Sequence, residues 1–158
     1  MKTLFFKGGS IWVKENEPRF ETADAGIETV EEGTAVAESE TAPEPGATLV
    51  PLRNLFDIVD VATFLLAGKA EQLLNWRRAF RFCSFCGAKL ERHATEHAMR
   101  CPKCGQFFYP RLNPVVIMLI KKDDAILLVH KAQNLYPFWS LVAGFVEPNE
   151  TLEAAVAR

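Results

Sequence analysis

Cys83-Ser84-Phe85-Cys86-Gly87 and Cys101-Pro102-Lys103-Cys104-Gly105 are two C-x-x-C-G knuckles with fourteen residues between Cys86 and Cys101. That spacing is close to the one a zinc ribbon uses. The two-residue gap lets both thiolates of a knuckle face one ion while backbone amides turn toward sulfur, and the following glycine permits the tight turn. Four thiolates complete a tetrahedron and leave no position for water or substrate. A zinc ion (Zn²⁺) held by Cys83, Cys86, Cys101 and Cys104 is therefore expected to support the fold and to catalyse nothing. Two disulfides are the competing reading, and a reducing compartment opposes it. His93 and His97 read as surface residues because the cysteines already fill the shell, and His130, after a strand, reads as structural. Arg92, Lys103 and Arg111 add basic groups without a dense patch of interleaved aromatics, so nucleic-acid binding stays an alternative use of the ribbon.

Outward from the ribbon, the chain has 158 residues, 49% of them hydrophobic, and a net charge of −2, which allows two small modules with a core. The apolar run Val115 to Ile120 is strand-sized, far below the roughly 20 residues of a membrane helix. The opening Met1 to Lys7 is too short in apolar residues for a signal peptide, so a cytoplasmic, reducing location is expected.

Phe5-Phe6 and Ile11-Trp12-Val13 flank Gly8-Gly9-Ser10 and predict two strands around a turn, the beginning of a β-rich N-terminal domain over residues 1–80. From about Glu21 to Thr48 there is no Lys or Arg, acids abound and large apolar residues are few, which predicts a flexible acidic loop with partner binding as its alternative use. Outside that acidic stretch the balance is basic, a weak match to a polyanionic ligand such as a diphosphate. Residues 61–80 show a helical pattern with Phe64, Leu65, Leu73, Leu74 and Trp76 apolar and a potential break at Gly68. The ribbon spans 81–110. Residues 111–158 then read as strand (115–120), turn (Lys121 to Asp124), strand (125–129) and a third strand from Trp139 to Val142. The fold class is α+β.

After the third strand comes Gly144-Phe145-Val146-Glu147-Pro148-Asn149-Glu150-Thr151-Leu152-Glu153-Ala154-Ala155-Val156-Ala157-Arg158, a G-x5-E-x7-R pattern. It resembles the first part of the Nudix box. With Leu73-Leu74-Asn75-Trp76, Arg81-Phe82-Cys83, the ribbon, Tyr109 to Pro114 and Leu141 to Glu147 in the same order, the stretch from about Leu49 onward is similar to the NADH pyrophosphatase branch of the Nudix hydrolases. Leu152, Ala155 and Val156 would pack the box helix on the sheet and leave Arg158 facing the site.

The resemblance implies an incomplete α/β/α Nudix fold after the ribbon and Mg²⁺- or Mn²⁺-dependent hydrolysis of NADH or NAD⁺ to nicotinamide mononucleotide and AMP, with NAD-capped RNA as a further substrate and a homodimer as the assembly. It places Ala143 at the position whose carbonyl helps ligate the catalytic metal, and Gly144 at the start of the loop. Glu150 and Arg158 take the positions that fix loop and helix. Glu96, Tyr109 and, less closely, Arg53 match positions that contact the nucleotide; Phe138 and Trp139 are either base-stacking or core aromatics. The family's metal-binding glutamates follow the arginine at which this chain stops, so a truncated, inactive chain is expected. A noncatalytic zinc-ribbon module that binds nucleotide, nucleic acid or protein is the rival.

Overall fold

A computed structural model describes residues 2–21, 28–31, 33–130 and 138–158. Met1–Pro110 and Arg111–Arg158 form two compact units. The first unit opens with a sheet of β1 (Lys2–Lys7), β2 (Ser10–Val13), β3 (Arg19–Glu21), β4 (Glu28–Glu31), β5 (Thr34–Glu38) and β6 (Thr48–Pro51). Its order is β4-β5-β1-β2-β6, with β3 also on β1. β1 and β2 meet across Gly8 and Gly9, at φ +54° and +77°, the left-handed pair that a two-residue hairpin turn requires. The expected hairpin is present.

The acidic stretch is a correction. Residues 22–27 and 32 lie outside the described set, but 28–31 and 34–38 are strands, and β5 runs parallel beside β1 from Lys2↔Thr34 to Phe6↔Glu38. Thr34, Ala35 and Val36 are buried at 7%, 0% and 1% exposure. The acidic composition conceals a strand whose few small apolar residues suffice, because β5 lies between β4 and β1 and under a helix.

That helix, α1 (Val61–Ala79), starts at Asp60, whose carboxylate accepts from the Thr63 amide at 2.9 Å. It runs unbroken through Gly68 and buries Thr63, Ala67, Ala70, Leu73, Leu74 and Trp76. Leu65 points outward, at 63% exposure, because it falls off that stripe. A 3₁₀ turn, Leu52–Asp57, precedes the helix and buries Leu55.

The ribbon follows as β7 (Glu91–Arg92), β8 (Met99–Arg100) and β9 (Phe107–Phe108), paired in that order. It shares its interior with the β module: Cys83, Leu90, Met99 and Cys101 belong to one buried cluster with Leu4, Phe6, Ile11, Val36 and Trp76. Each fully buried large aliphatic or aromatic side chain in such a core is worth about 1.5–3 kcal/mol.

The second unit is thinner. It contains β10 (Val115–Met118), β11 (Lys121–Lys122), β12 (Ala125–Ile126), β13 (Val142–Phe145) and α2 (Leu152–Ala157). Lys121 and Lys122 pair with Ile126 and Ala125, so the turn is only Asp123-Asp124, with Asp123 at φ +55°. The expected third strand begins its pairing at Val142, while Ser140 bridges Val129. α2 packs beside β10 through Ala155, 6% exposed; Leu152 and Val156 stay at 55% and 49%, contrary to the expected packing.

Candidate functional site

The four cysteine sulfurs lie within 4.8 Å of one another. Cys83 and Cys104 approach to 3.5 Å, as do Cys86 and Cys101, and all four are unbonded thiols. Zinc–sulfur bonds of about 2.3 Å put tetrahedral sulfurs about 3.8 Å apart, so the cluster fits one ion. In each knuckle the glycine amide donates back to the first cysteine, Gly87 to the Cys83 carbonyl and Gly105 to the Cys101 carbonyl, both at 2.9 Å. Those glycines sit at φ +72° and +77°. The Cys104 amide turns toward Cys101 Sγ at 3.5 Å. Burial pushes the Cys101 thiol up, but the Cys104 amide and neighbouring thiols outweigh it and bring it down to about 6. Cys104, next to that thiolate and partly desolvated, is pushed up to about 12 despite the Gln106 amide. Four thiols in one space resist full ionisation until a cation joins them.

Glu96 and Tyr109 meet on the ribbon's exposed side, where the Tyr109 hydroxyl donates to Glu96 Oε2 at 3.0 Å. That bond and the carboxylate's charge raise the phenol above its ordinary value. Arg53 is exposed on the 3₁₀ turn, and among the described residues no hydrogen bond or ion pair joins it to Glu96 or Tyr109.

In the second unit, β13 carries Ala143 opposite Ile117 and Gly144 opposite Val116. Beyond it the loop turns at Asn149, φ +65°, and Thr151 caps α2 by accepting from the Ala154 amide at 3.1 Å. Arg158 returns to that loop. Its Nε donates to Glu150 Oε1 at 2.9 Å and its Nη2 to Glu150 Oε2 at 3.1 Å and to the Phe145 carbonyl at 3.0 Å. Glu150 Oε2 also accepts from the Glu147 amide at 2.9 Å. The guanidinium first, and that amide second, hold Glu150 down at about 2. Arg158 is thus spent on closing the loop, where the sequence suggested a side chain left facing the site. The Phe145 carbonyl and the Glu147 amide carry no signal in sequence, because backbone groups have no residue type to read. A cleft of about 500 Å³ lies next to this loop, between Leu112 to Pro114 and Phe145 to Pro148.

Among the described residues, the cysteines are the one group of three or more His, Cys, Asp or Glu side chains able to share a metal. The box offers no second set, since Glu150 is bound by Arg158. The Mg²⁺ or Mn²⁺ implied by the resemblance therefore does not fit the described residues by themselves.

A four-thiolate ribbon followed by a strand, loop and helix closed by a Glu–Arg pair eight residues apart defines a zinc-ribbon Nudix protein. Family profiles agree: the NADH pyrophosphatase zinc ribbon domain matches residues 78–109 and the NUDIX domain residues 110–158. The chain belongs to the NADH pyrophosphatase branch of the Nudix hydrolases. Relatives named NAD-capped RNA hydrolase NudC include one from Stutzerimonas stutzeri, 41% identical over 72% of this chain and 41% of its own length. Another, from Deinococcus radiodurans, is 42% identical over 72% of this chain and 42% of its own. The Escherichia coli K12 relative is 40% identical over 68% of this chain and 41% of its own. The chain thus spans about two fifths of the length of the curated relatives it matches. A crystal structure of a NUDIX hydrolase from Nitrosomonas europaea is similar over 49% of this chain and 47% of that chain, at 32% identity and a TM-score of 0.42.

Proposed function

We propose that this chain supplies the ribbon and the opening of the Nudix box of a diphosphatase that cleaves NADH or NAD⁺ to nicotinamide mononucleotide and AMP and that also removes NAD caps from RNA. The observation that carries the proposal is the two-pronged Arg158–Glu150 bond at box spacing, in a chain whose ribbon presents Glu96 and Tyr109 as a joined pair. The names of the relatives support the substrate class. In this assignment Ala143 offers its carbonyl and Gly144 opens the loop, Glu150 and Arg158 hold that loop in shape, and Glu96, Tyr109 and Arg53 contact the nucleotide. Water supplies the atoms that cap the two new phosphate ends. The active assembly is a homodimer in the reducing cytoplasm, where unbonded thiols suit a zinc site.

The test joins residues 1–158 to the segment of the Deinococcus radiodurans relative that follows its matched stretch, supplying carboxylates that this chain's described residues do not assemble. With NADH and Mg²⁺ or Mn²⁺ the chimera is expected to release AMP. A folded, zinc-loaded chimera that releases none with either metal ends the diphosphatase assignment.

A further inference from the structure

The ribbon's small sheet has two distinct sides. Its register sets Glu91, Arg100 and Phe107 side by side, and Arg92, Met99 and Phe108 side by side. Met99 is 8% exposed and belongs to the buried cluster, so the Glu91, Arg100 and Phe107 side faces solvent. On that side the Arg100 guanidinium lies over the Phe107 ring, 5.8 Å from its centroid. The His93 ring is 5.5 Å from the Phe107 ring, and the Tyr109 ring is 6.5 Å from it and only 17° from parallel. His93 is held in place because its Nδ1 accepts from the Glu96 amide at 3.3 Å. Phe107 nevertheless keeps 42% of its surface exposed and Tyr109 55%. A phenylalanine this exposed, beside a guanidinium and two rings, adds little to the core.

We propose that this face, centred on Phe107 with Arg100 and His93, is a stacking surface for a base of single-stranded RNA, taking the nucleotides next to the cap. The identity of the ligand rests on the NAD-cap assignment above; the surface itself rests on geometry alone. Exposed aromatics on a small sheet, with a cation beside them, stack bases of any sequence because every base has a π face, while the cation meets the backbone phosphate. Arg100 supplies the cation of this face; Glu96 is already held by Tyr109, and Glu91 stands across from Arg100.

Anisotropy of a 5′-labelled, uncapped oligo(A) RNA against zinc-loaded residues 1–158 tests it. Phe107→Ala is expected to weaken binding on the order of tenfold and Phe107→Trp to restore it. Arg100→Ala is expected to weaken binding and flatten its salt dependence. An abasic strand of equal length should bind wild type as weakly as oligo(A) binds Phe107→Ala. Wild-type affinity in Phe107→Ala, equal affinity for the abasic strand, or no saturable binding at low salt would each overturn the proposal. So would a change of oligomeric state in Phe107→Ala with RNA binding intact, which would mark the face as a contact between copies. In the chimera, Phe107→Ala should slow cleavage of NAD-capped RNA more than cleavage of NADH. An inactive chimera that still binds RNA through Phe107 would remove the diphosphatase assignment without removing this one.

Discussion

Arg158 grips Glu150 through both carboxylate oxygens and, with the same Nη2, reaches the Phe145 carbonyl, so one side chain ties the end of α2 to both sides of the box loop. Glu150 is only 13% exposed although its partner is 53% exposed, which keeps the pair from being an ordinary surface bridge.

The pH dependence of that pair has a definite sign. Glu150 titrates at about 2 when folded, against an ordinary 4.5. Its contribution to stability is whole above pH 4.5 and fades as pH falls toward 2. Carboxyl-carbon NMR should place the Glu150 midpoint near the bottom of that window. In Arg158→Ala it should move up toward the ordinary value; an unmoved midpoint would mean that Arg158 is not its cause.

Loss of one ligand should dismantle the ribbon. Cys101→Ser is expected to reduce bound zinc from about one ion per chain to near none, and a strong chelator should do the same to wild type. Amide exchange across residues 83–108 should then rise sharply. Acidification should release the ion because protons compete for the thiolates. Freshly purified, reduced protein without zinc would contradict the site.

The centre of the larger sheet should tolerate little. Leu4 is fully buried in β1 between strands on both sides, so Leu4→Ala is expected to cost about 3 kcal/mol. The urea midpoint of the zinc-loaded chain should fall with an unchanged slope.

Tyr109 should ionise above pH 10 because Glu96 accepts its proton and repels the phenolate. Glu96→Gln should bring the 295 nm titration back toward the ordinary value. If Glu96 and Tyr109 contact the nucleotide together, the same variant in the chimera should raise KM more than it lowers kcat.

Residues 1–158 alone should show no NADH turnover with Mg²⁺ or Mn²⁺, since the described residues assemble no carboxylate set for a second metal. Metal-dependent AMP release by the purified chain would refute this.

The zinc site and the box were legible because each is a fixed spacing of distinctive residue types, and spacing survives folding as geometry. The hairpin at Gly8-Gly9 was legible for a similar reason, since positive φ has few substitutes. β4 and β5 were not, because Val30, Ala35 and Val36 are diluted among glutamates and only their neighbours make them interior. The helix was legible, but its buried stripe was misjudged: Ala67 and Ala70 face inward where bulkier Leu65 does not. The Phe107 face escaped notice because Arg100, His93 and Phe107 are scattered along the chain and only the pairing of three two-residue strands gathers them.

The placement of β1 also governs how the chain assembles over time. Its parallel partner β5 lies roughly thirty residues further on, too far for fast local zippering, so closure of the sheet should set the folding rate. On the ribosome, Leu4 and Phe6 emerge long before Val36 and α1 can cover them. The hairpin through Gly8-Gly9, which forms in microseconds, pairs the Phe6–Lys7 end of β1 in the interval, β3 follows on Lys2 to Leu4, and β5 is the last of the three to pair with β1.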